Sequence, residues 1–362
     1  MEKYDVDKID GFNWYYKDFY SWKYIHDNTK SQRYVYRGEN KKDPKKSVIL
    51  KKIKVNNYKN ILKEIYFLVC FQKNKYSIDL IDFFFSDDYN DIFIILNDEG
   101  ENLQSLIDYT QIKIDAYNND SIKRQIFQII YQLYIYHKNN LVHNDIKPSN
   151  ILISSSELVK ITDFGSMDKV GHKSFGTFFY RSPENLINNI GSEKNDMWAV
   201  GVIMIELYLK KYPFFRDNNI KDGLSLIKNI LSKYKIIINN NEININDNNV
   251  FQIIMYIINN LINNNSSSNF QEELKNIEEI KDPDAFDLIK NLLKINPKER
   301  FSAEEALNSK YLSQYKNEIQ QSNISFNIKN YENMLSNIYN INEFIKLIEK
   351  IKQKFLGLKL EN

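Results

Sequence analysis

Between His143 and Asn150 the chain sets a carboxylate, an ammonium group and a carboxamide in one short loop, His143-Asn144-Asp145-Ile146-Lys147-Pro148-Ser149-Asn150. Moving a phosphoryl group calls for that mixture: a carboxylate to orient the attacking hydroxyl, a cation for the migrating charge and a hard oxygen for Mg²⁺. Thirteen residues past Asn150 comes Asp163-Phe164-Gly165, a second strand–loop junction with another hard oxygen ligand. Asp163 and Asn150 are therefore candidates to face one metal site. Asp, Asn and Lys are common in the loops of this chain, so the first motif alone is only suggestive. Its weight comes from the company it keeps.

The elements that must position these groups fall into two halves. From Trp22 to about Leu96 β-branched and aromatic runs predominate, in Tyr34-Val35-Tyr36, Ser47–Lys54 and Asp91–Leu96, which reads as strands. Within that half Ile61, Ile65, Leu68 and Phe71 recur at helical spacing, predicting a helix from about Tyr58. Beyond Gly100 the pattern is mostly helical. Ser121–Lys138 carries Ile126, Ile129, Ile130, Leu133 and Tyr134 on one face, and Asp196–Leu209 reads as a buried helix. A β-rich half followed by a larger helical half predicts an α+β, bilobal plan.

These landmarks resemble the eukaryotic protein kinase family, whose catalytic loop and metal-binding loop match the two motifs. Val48-Ile49-Leu50-Lys51 resembles the strand whose lysine reaches the α- and β-phosphates of ATP, and Glu64 matches the helix residue that holds that lysine. Gly176-Thr177-Phe178-Phe179-Tyr180-Arg181-Ser182-Pro183-Glu184 resembles the end of an activation segment. Arg300 matches the arginine that pairs with Glu184, and Asp196-Met197-Trp198 resembles the buried helix that anchors the catalytic loop. The resemblance implies that Asp145 orients the substrate hydroxyl, that Lys147 stabilises the moving phosphoryl group and that Thr177 buttresses both. It also implies that Asn150 and Asp163 hold Mg²⁺. Adenine would lie between Val35, Ile49 and the floor Leu152, against the hinge, with Leu96 as gatekeeper and backbone groups of Asn97 and Glu99 as hydrogen-bond partners. Lys147 and Thr177 resemble the serine/threonine branch. Tyr-Arg-Ser-Pro-Glu and the long insertion lean toward the CMGC-like group.

On this reading residues 1–21 form an N-terminal extension and residues 22–312 a kinase domain. Its N-lobe spans about 22–96 and its C-lobe about 100–312, with an Asn-rich insertion at about 236–275. Residues 313–362 form a helical tail with Phe344, Ile345, Leu347 and Ile348 spaced amphipathically. The tail could dock on the kinase body or on a partner; its pattern does not choose.

Three departures stand out. No glycine lies between Gly11 and Gly38, and the three family glycine positions fall on Asn28, Lys30 and Arg33. Glycines there let backbone approach the phosphates, so weakened nucleotide binding is the expectation. Lys30 and Arg33 could add positive charge over the phosphates, but the simpler expectation is that they point to solvent. Ile49 stands where the family has alanine and should narrow the adenine slot. Asn144 replaces the arginine that pairs with an activation-loop phosphate. Ser166 and Ser174 are candidate phosphorylation sites, yet the usual receiver is missing, which predicts an active site assembled without that switch.

Composition narrows the classes further. The 362 residues carry a net charge of +2, which gives no support to a nucleic-acid or anionic-membrane partner. One cysteine, Cys70, cannot form an internal disulfide, and no Cys/His cluster has zinc spacing. The polar first residues lack a signal-peptide pattern. The expectation is a monomer of the cytoplasm or nucleus that uses ATP and Mg²⁺ and acts on a serine or threonine of a protein. The competing reading is a catalytically weak pseudokinase that serves as a binding or scaffold module, favoured by Asn28, Lys30, Arg33 and Ile49. A complete set of catalytic side chains disfavours it.

Overall fold

The computed structural model describes residues 20–28, 33–43, 46–72, 74–112, 118–154, 156–174, 176–177, 180–182, 184–185, 189–209, 238–239, 242–243, 280–294, 296–319, 328–336 and 338–360. The strands are β1 (Tyr20–Asn28), β2 (Arg33–Asn40), β3 (Ser47–Lys54), β4 (Leu80–Phe85), β5 (Asp91–Asn97), β6 (Glu101–Asn102), β7 (Leu141–Val142), β8 (Ile151–Ile153), β9 (Val159–Ile161), β10 (Asp168–Lys169), β11 (Ile238–Asn239) and β12 (Glu242–Ile243). The α-helices are α1 (Tyr58–Cys70), α2 (Leu103–Ile112), α3 (Asn119–Lys138), α4 (Glu193–Leu209), α5 (Pro283–Leu292), α6 (Ala303–Leu307), α7 (Ile328–Ser336) and α8 (Ile341–Leu360). Most of the N-terminal extension and of the Asn-rich insertion lies outside the described residues. Among the described residues no helix is long and apolar enough to cross a membrane.

The chain forms two compact units, one of residues 1–100, 160–165 and 324–362, the other of residues 101–159 and 166–323. The first is built on an antiparallel sheet in the order β1-β2-β3-β5-β4. Side chains alternate between the faces of a strand. Tyr36, Val48, Leu50, Phe93 and Ile95 consequently meet in one buried cluster. The other face of β2 and β3 carries Arg33, Val35 and Arg37, each directly opposite Ile53, Lys51 and Ile49.

Helix α1 starts at Asn57, whose side chain accepts from the Asn60 N–H at 3.2 Å, a capping arrangement that satisfies one of the free donors of the first turn. Its residues Ile61, Leu62, Ile65, Phe67 and Leu68 are all buried, more than one face of a surface helix would hide. The second cover comes from the C-terminal end of the chain. Phe344 of α8 is fully buried and stacks on Tyr58 at 5.1 Å, while Tyr331 of α7 stacks on Tyr66 at 5.7 Å. Farther along α8, Phe355 packs on Phe83 at 5.8 Å, and Lys352 pairs with Asp82. The amphipathic tail thus docks on its own chain, within the unit that carries α1. Cys70, at the end of α1, is kept a thiol because burial pushes its pKa up.

The second unit is mostly helical. Helix α3 buries Ile126, Ile129, Ile130 and Leu133, and α4 buries residues on every side, among them Met197, Val200, Ile203 and Met204. A Cβ at Gly201 of α4 would sit 2.8 Å from Leu293, so glycine permits this close packing. Helix α5 is capped by Asp282 and opens with Pro283, while Ser302 and Glu305 close a capping box on α6. Arg300, wholly buried, donates to both oxygens of Glu184, at 2.6 and 3.0 Å, and lies over the Trp198 ring. A planar guanidinium matches a carboxylate in this two-pronged way, and the pairing offsets the desolvation of both ions.

Candidate active site

In the sheet-bearing unit, Lys51 of β3 donates to Glu64 Oε1 of α1 at 2.8 Å, and Glu64 is 1% exposed. Lys51 faces away from the buried cluster because Leu50 faces into it. Glu64 lies one helical turn from Leu68 on the side of α1 that meets the sheet, among buried neighbours that hold its rotamer. Asp163 follows β9 with φ of 66°, a left-handed backbone that an aspartate tolerates better than most residues. Phe164 beside it is fully buried and packs on Phe71 at 5.6 Å and Phe67 at 6.5 Å, tying this turn to α1.

One residue here overturns the expectation for the glycine-free loop. Arg33 does not point to solvent. Its Nη1 donates to Asp163 Oδ1 at 3.1 Å and stands 3.7 Å from Glu64 Oε2. Two cations and two carboxylates thus run Lys51–Glu64–Arg33–Asp163. Strand parity explains the direction: Arg33 lies two residues before Val35, on the face Val35 shares with Lys51. Gly165 leaves room for the guanidinium, since a Cβ there would come within 3.1 Å of Arg33 Nη2. Lys30 lies outside the described residues, and Asn28 ends β1.

The adenine-site candidates of this unit share one region of the sheet. Val35 is opposite Lys51, and Ile49 is opposite the buried Leu96. The Asn97 N–H donates to the Asp79 carbonyl at 2.9 Å. That leaves the Asn97 carbonyl as the group of this residue that the hinge expectation would use. Glu99 pairs with Lys160 at 2.8 Å.

The catalytic-loop candidates lie together in the helical unit. Asp196, at the start of α4, accepts from the backbone N–H groups of His143 and Asn144 at 2.8 and 2.9 Å and faces His137 at 3.1 Å. A buried carboxylate bonded this way fixes the loop backbone from behind. Asp145 Oδ1 then accepts from the Thr177 N–H and from Thr177 Oγ1, both at 2.7 Å. Lys147 Nζ lies 2.8 Å from both Asp145 Oδ2 and Thr177 Oγ1. The amide nitrogen of Asn150 donates to the Asp145 carbonyl at 2.9 Å and to Oδ2 at 3.1 Å, which turns the amide oxygen away from Asp145. Gly176 is needed for this approach, because a Cβ there would meet the Asn144 carbonyl oxygen at 2.0 Å. Leu152, the candidate adenine floor, is half-buried on β8 opposite Asn102 of β6.

Asn144 also has a definite place. It adopts φ of 67°, is 8% exposed and donates from its side chain to the Ser166 carbonyl at 3.1 Å. Asparagine accepts that backbone and supplies the short polar tether without charge. Ser174 is buried, with its N–H bonded to the Asn189 carbonyl at 2.8 Å, whereas Ser166 is exposed.

Among the described residues no group of three His, Cys, Asp or Glu stands together as a resident metal site. The amide oxygen of Asn150 and the carboxylate of Asp163 are each hard oxygens of the kind Mg²⁺ accepts, one or two from protein with phosphates and water completing its shell.

Residues 31–312 match the family described as the protein kinase domain. The chain is 28% identical over 296 residues to extracellular signal-regulated kinase 2 of Dictyostelium discoideum, covering 76% of this chain and 75% of that protein. It is 30% identical over 219 residues to the mitogen-activated protein kinase mpk-1 of Caenorhabditis elegans, covering 57% and 46% respectively. To pmk-1, a mitogen-activated protein kinase of the same animal, it is 28% identical over 249 residues, 67% of this chain and 61% of that one. The chain thus spans less than two thirds of either nematode kinase.

Proposed function

The chain belongs to the protein kinase family, as a CMGC-like serine/threonine kinase, and from that premise we propose that it is catalytically active without phosphorylation of its activation segment. The observation that carries this reading is the closed hydrogen-bond set on Asp145. Its carboxylate is oriented by the unmodified side chains and backbone of Thr177, Lys147 and Asn150 at 2.7 to 3.1 Å, a set that needs no phosphate to close.

In the proposed reaction Asp145 accepts the hydrogen bond of a serine or threonine hydroxyl and receives its proton as transfer completes. Each carboxylate oxygen already accepts two hydrogen bonds, Oδ1 from Thr177 and Oδ2 from Lys147 and Asn150, so the substrate hydroxyl would take the place of one of these donors. Lys147 stays beside Asp145 and offers its ammonium to the moving phosphoryl group. Thr177 keeps the loop and the segment end in register, so the nucleophile's partner does not have to be assembled on substrate arrival. Lys51, held by Glu64, would bind the α- and β-phosphates of ATP, while Val35, Ile49, Leu96 and Leu152 would enclose the base. Asn150 and Asp163 would hold Mg²⁺, which would supply positive charge against the charge developing on the phosphates.

Independence from the usual switch follows from Asn144. A neutral, buried amide tethered to Ser166 can neither receive a phosphate nor be rearranged by one. Ser174, being buried, is a poor target for a second kinase. The acceptor is proposed to be a folded or peptide protein substrate, and the enzyme a monomer of the cytoplasm or nucleus with neither nucleic acid nor membrane as partner.

The second reading, a scaffold with little catalysis, draws on one observation: Arg33 already occupies Asp163 Oδ1. A peptide phosphorylation assay on wild type, Asp145→Asn and Asp163→Asn separates the two. The active reading predicts transfer by wild type and a loss of about 10²- to 10⁴-fold in Asp145→Asn, the range for a positioned acid–base group. Indistinguishable signals from the three proteins would leave only the scaffold.

A further inference from the structure

The guanidinium of Arg33 sits where the kinase reading, on which this inference rests, puts the nucleotide phosphates and their metal. It is not a wandering surface side chain. Arg33 is the first residue of β2, paired in register with Ile53 of the neighbouring strand, and its side chain is 25% exposed. From there it reaches Asp163 at 3.1 Å and stands 3.7 Å from Glu64, whose Oε2 is buried without a hydrogen bond. Gly165 leaves its flank open.

We propose that Arg33 is a phosphate-binding residue that replaces the missing glycine cradle: it shares Asp163 with the divalent metal and presents a second cation, beside Lys51, to the triphosphate. A glycine-rich loop binds phosphate with backbone N–H groups brought close by the lack of side chains. The corresponding stretch of this chain has no glycine, but it carries a rigid, weakly hydrated fork of N–H donors, a group well matched to phosphate oxygens. Before nucleotide arrives, the charges of Lys51 and Arg33 balance those of Glu64 and Asp163. With a triphosphate present, Arg33 exchanges one anionic partner for a stronger one, and Asp163 is released to serve the metal.

Two consequences follow from the same exchange. ATP should bind with unusually weak dependence on divalent metal, because a protein cation stands in part of the metal's place. Removing Arg33 should therefore weaken the binding of metal-free ATP more than that of Mg·ATP, where the metal supplies part of the lost charge.

The test is a melting-temperature titration of the full chain with ATP in excess chelator and with Mg·ATP, using wild type, Arg33→Ala and Arg33→Lys; a ligand that binds the native state raises the melting point with the logarithm of its concentration over Kd. The prediction is a clear rise with metal-free ATP in wild type. In Arg33→Ala the affinity drawn from that arm should weaken by at least about tenfold, the effect of losing a charge-assisted hydrogen bond, and by less in the Mg·ATP arm. Arg33→Lys keeps the charge without the fork and should fall between the two, and it serves alone if the alanine variant does not fold. Equal metal-free shifts in wild type and the variants, with Mg·ATP binding preserved, would overturn the role of Arg33 and leave the kinase reading standing. Failure of every protein to respond to Mg·ATP would remove the reading itself, and this inference with it.

Discussion

The charged cluster around Asp145 and the one around Glu64 and Asp163 are held by different means. Around Asp145 most partners are close in sequence or clamped to one anchor: Lys147 and Asn150 belong to the same loop, Asp196 fixes its backbone from α4, and Thr177 is the one distant donor. Around Glu64 the four charges come from two strands, a helix and a turn, at positions 33, 51, 64 and 163. No local rule aligns those elements. Their alignment rests on packing, and part of that packing is supplied by the last thirty-odd residues of the chain, through Tyr331, Phe344 and Phe355. A short loop needs only an anchor and one distant donor to fix its geometry, whereas a charge cluster assembled from distant elements needs support from behind.

That contrast can be broken at the tail. Phe344→Ala removes a fully buried ring between Tyr58 and Phe85. Urea denaturation should show a loss of about 3–5 kcal/mol, the usual range for a buried phenylalanine truncated to alanine. Leu356→Ala, on the same helix but 42% exposed, is the control and should change stability by no more than about 0.5 kcal/mol. If Phe344→Ala behaves like Leu356→Ala, the tail is not a structural support of α1.

A smaller effect sharpens the other side. Thr177→Ala deletes the hydroxyl that donates to Asp145 and accepts from Lys147. Steady-state peptide kinetics should then fall by about 10- to 100-fold, equivalent to a hydrogen bond between charged groups, with the melting temperature nearly unchanged. Thr177→Ser should restore most of the rate. An alanine variant as fast as wild type would mean that the hydroxyl is a bystander.

Much of this was legible before any coordinates. The strand runs, the helix at Tyr58 and the buried helix from Asp196 follow from apolar period, and the residues gathered round Asp145 were singled out by type and spacing. Arg33 is the exception: its residue type suggests solvent, while its position two residues before Val35 fixes the face it shares with Lys51. Period-two parity was the better guide. The docking of the tail was not legible, since an amphipathic helix announces an apolar face without naming its partner. Nor was the tether from Asn144 to Ser166, which depends on a left-handed backbone that a substitution of arginine by asparagine only permits.

The most direct test of the account is phosphate transfer by the wild-type chain after exhaustive phosphatase treatment, with mass spectrometry confirming that no phosphate remains. The account predicts that labelled γ-phosphate from Mg·ATP still passes to a serine-containing peptide, at a rate little changed by the treatment and far above that of Asp145→Asn. A phosphate-free enzyme as inert as Asp145→Asn would contradict it.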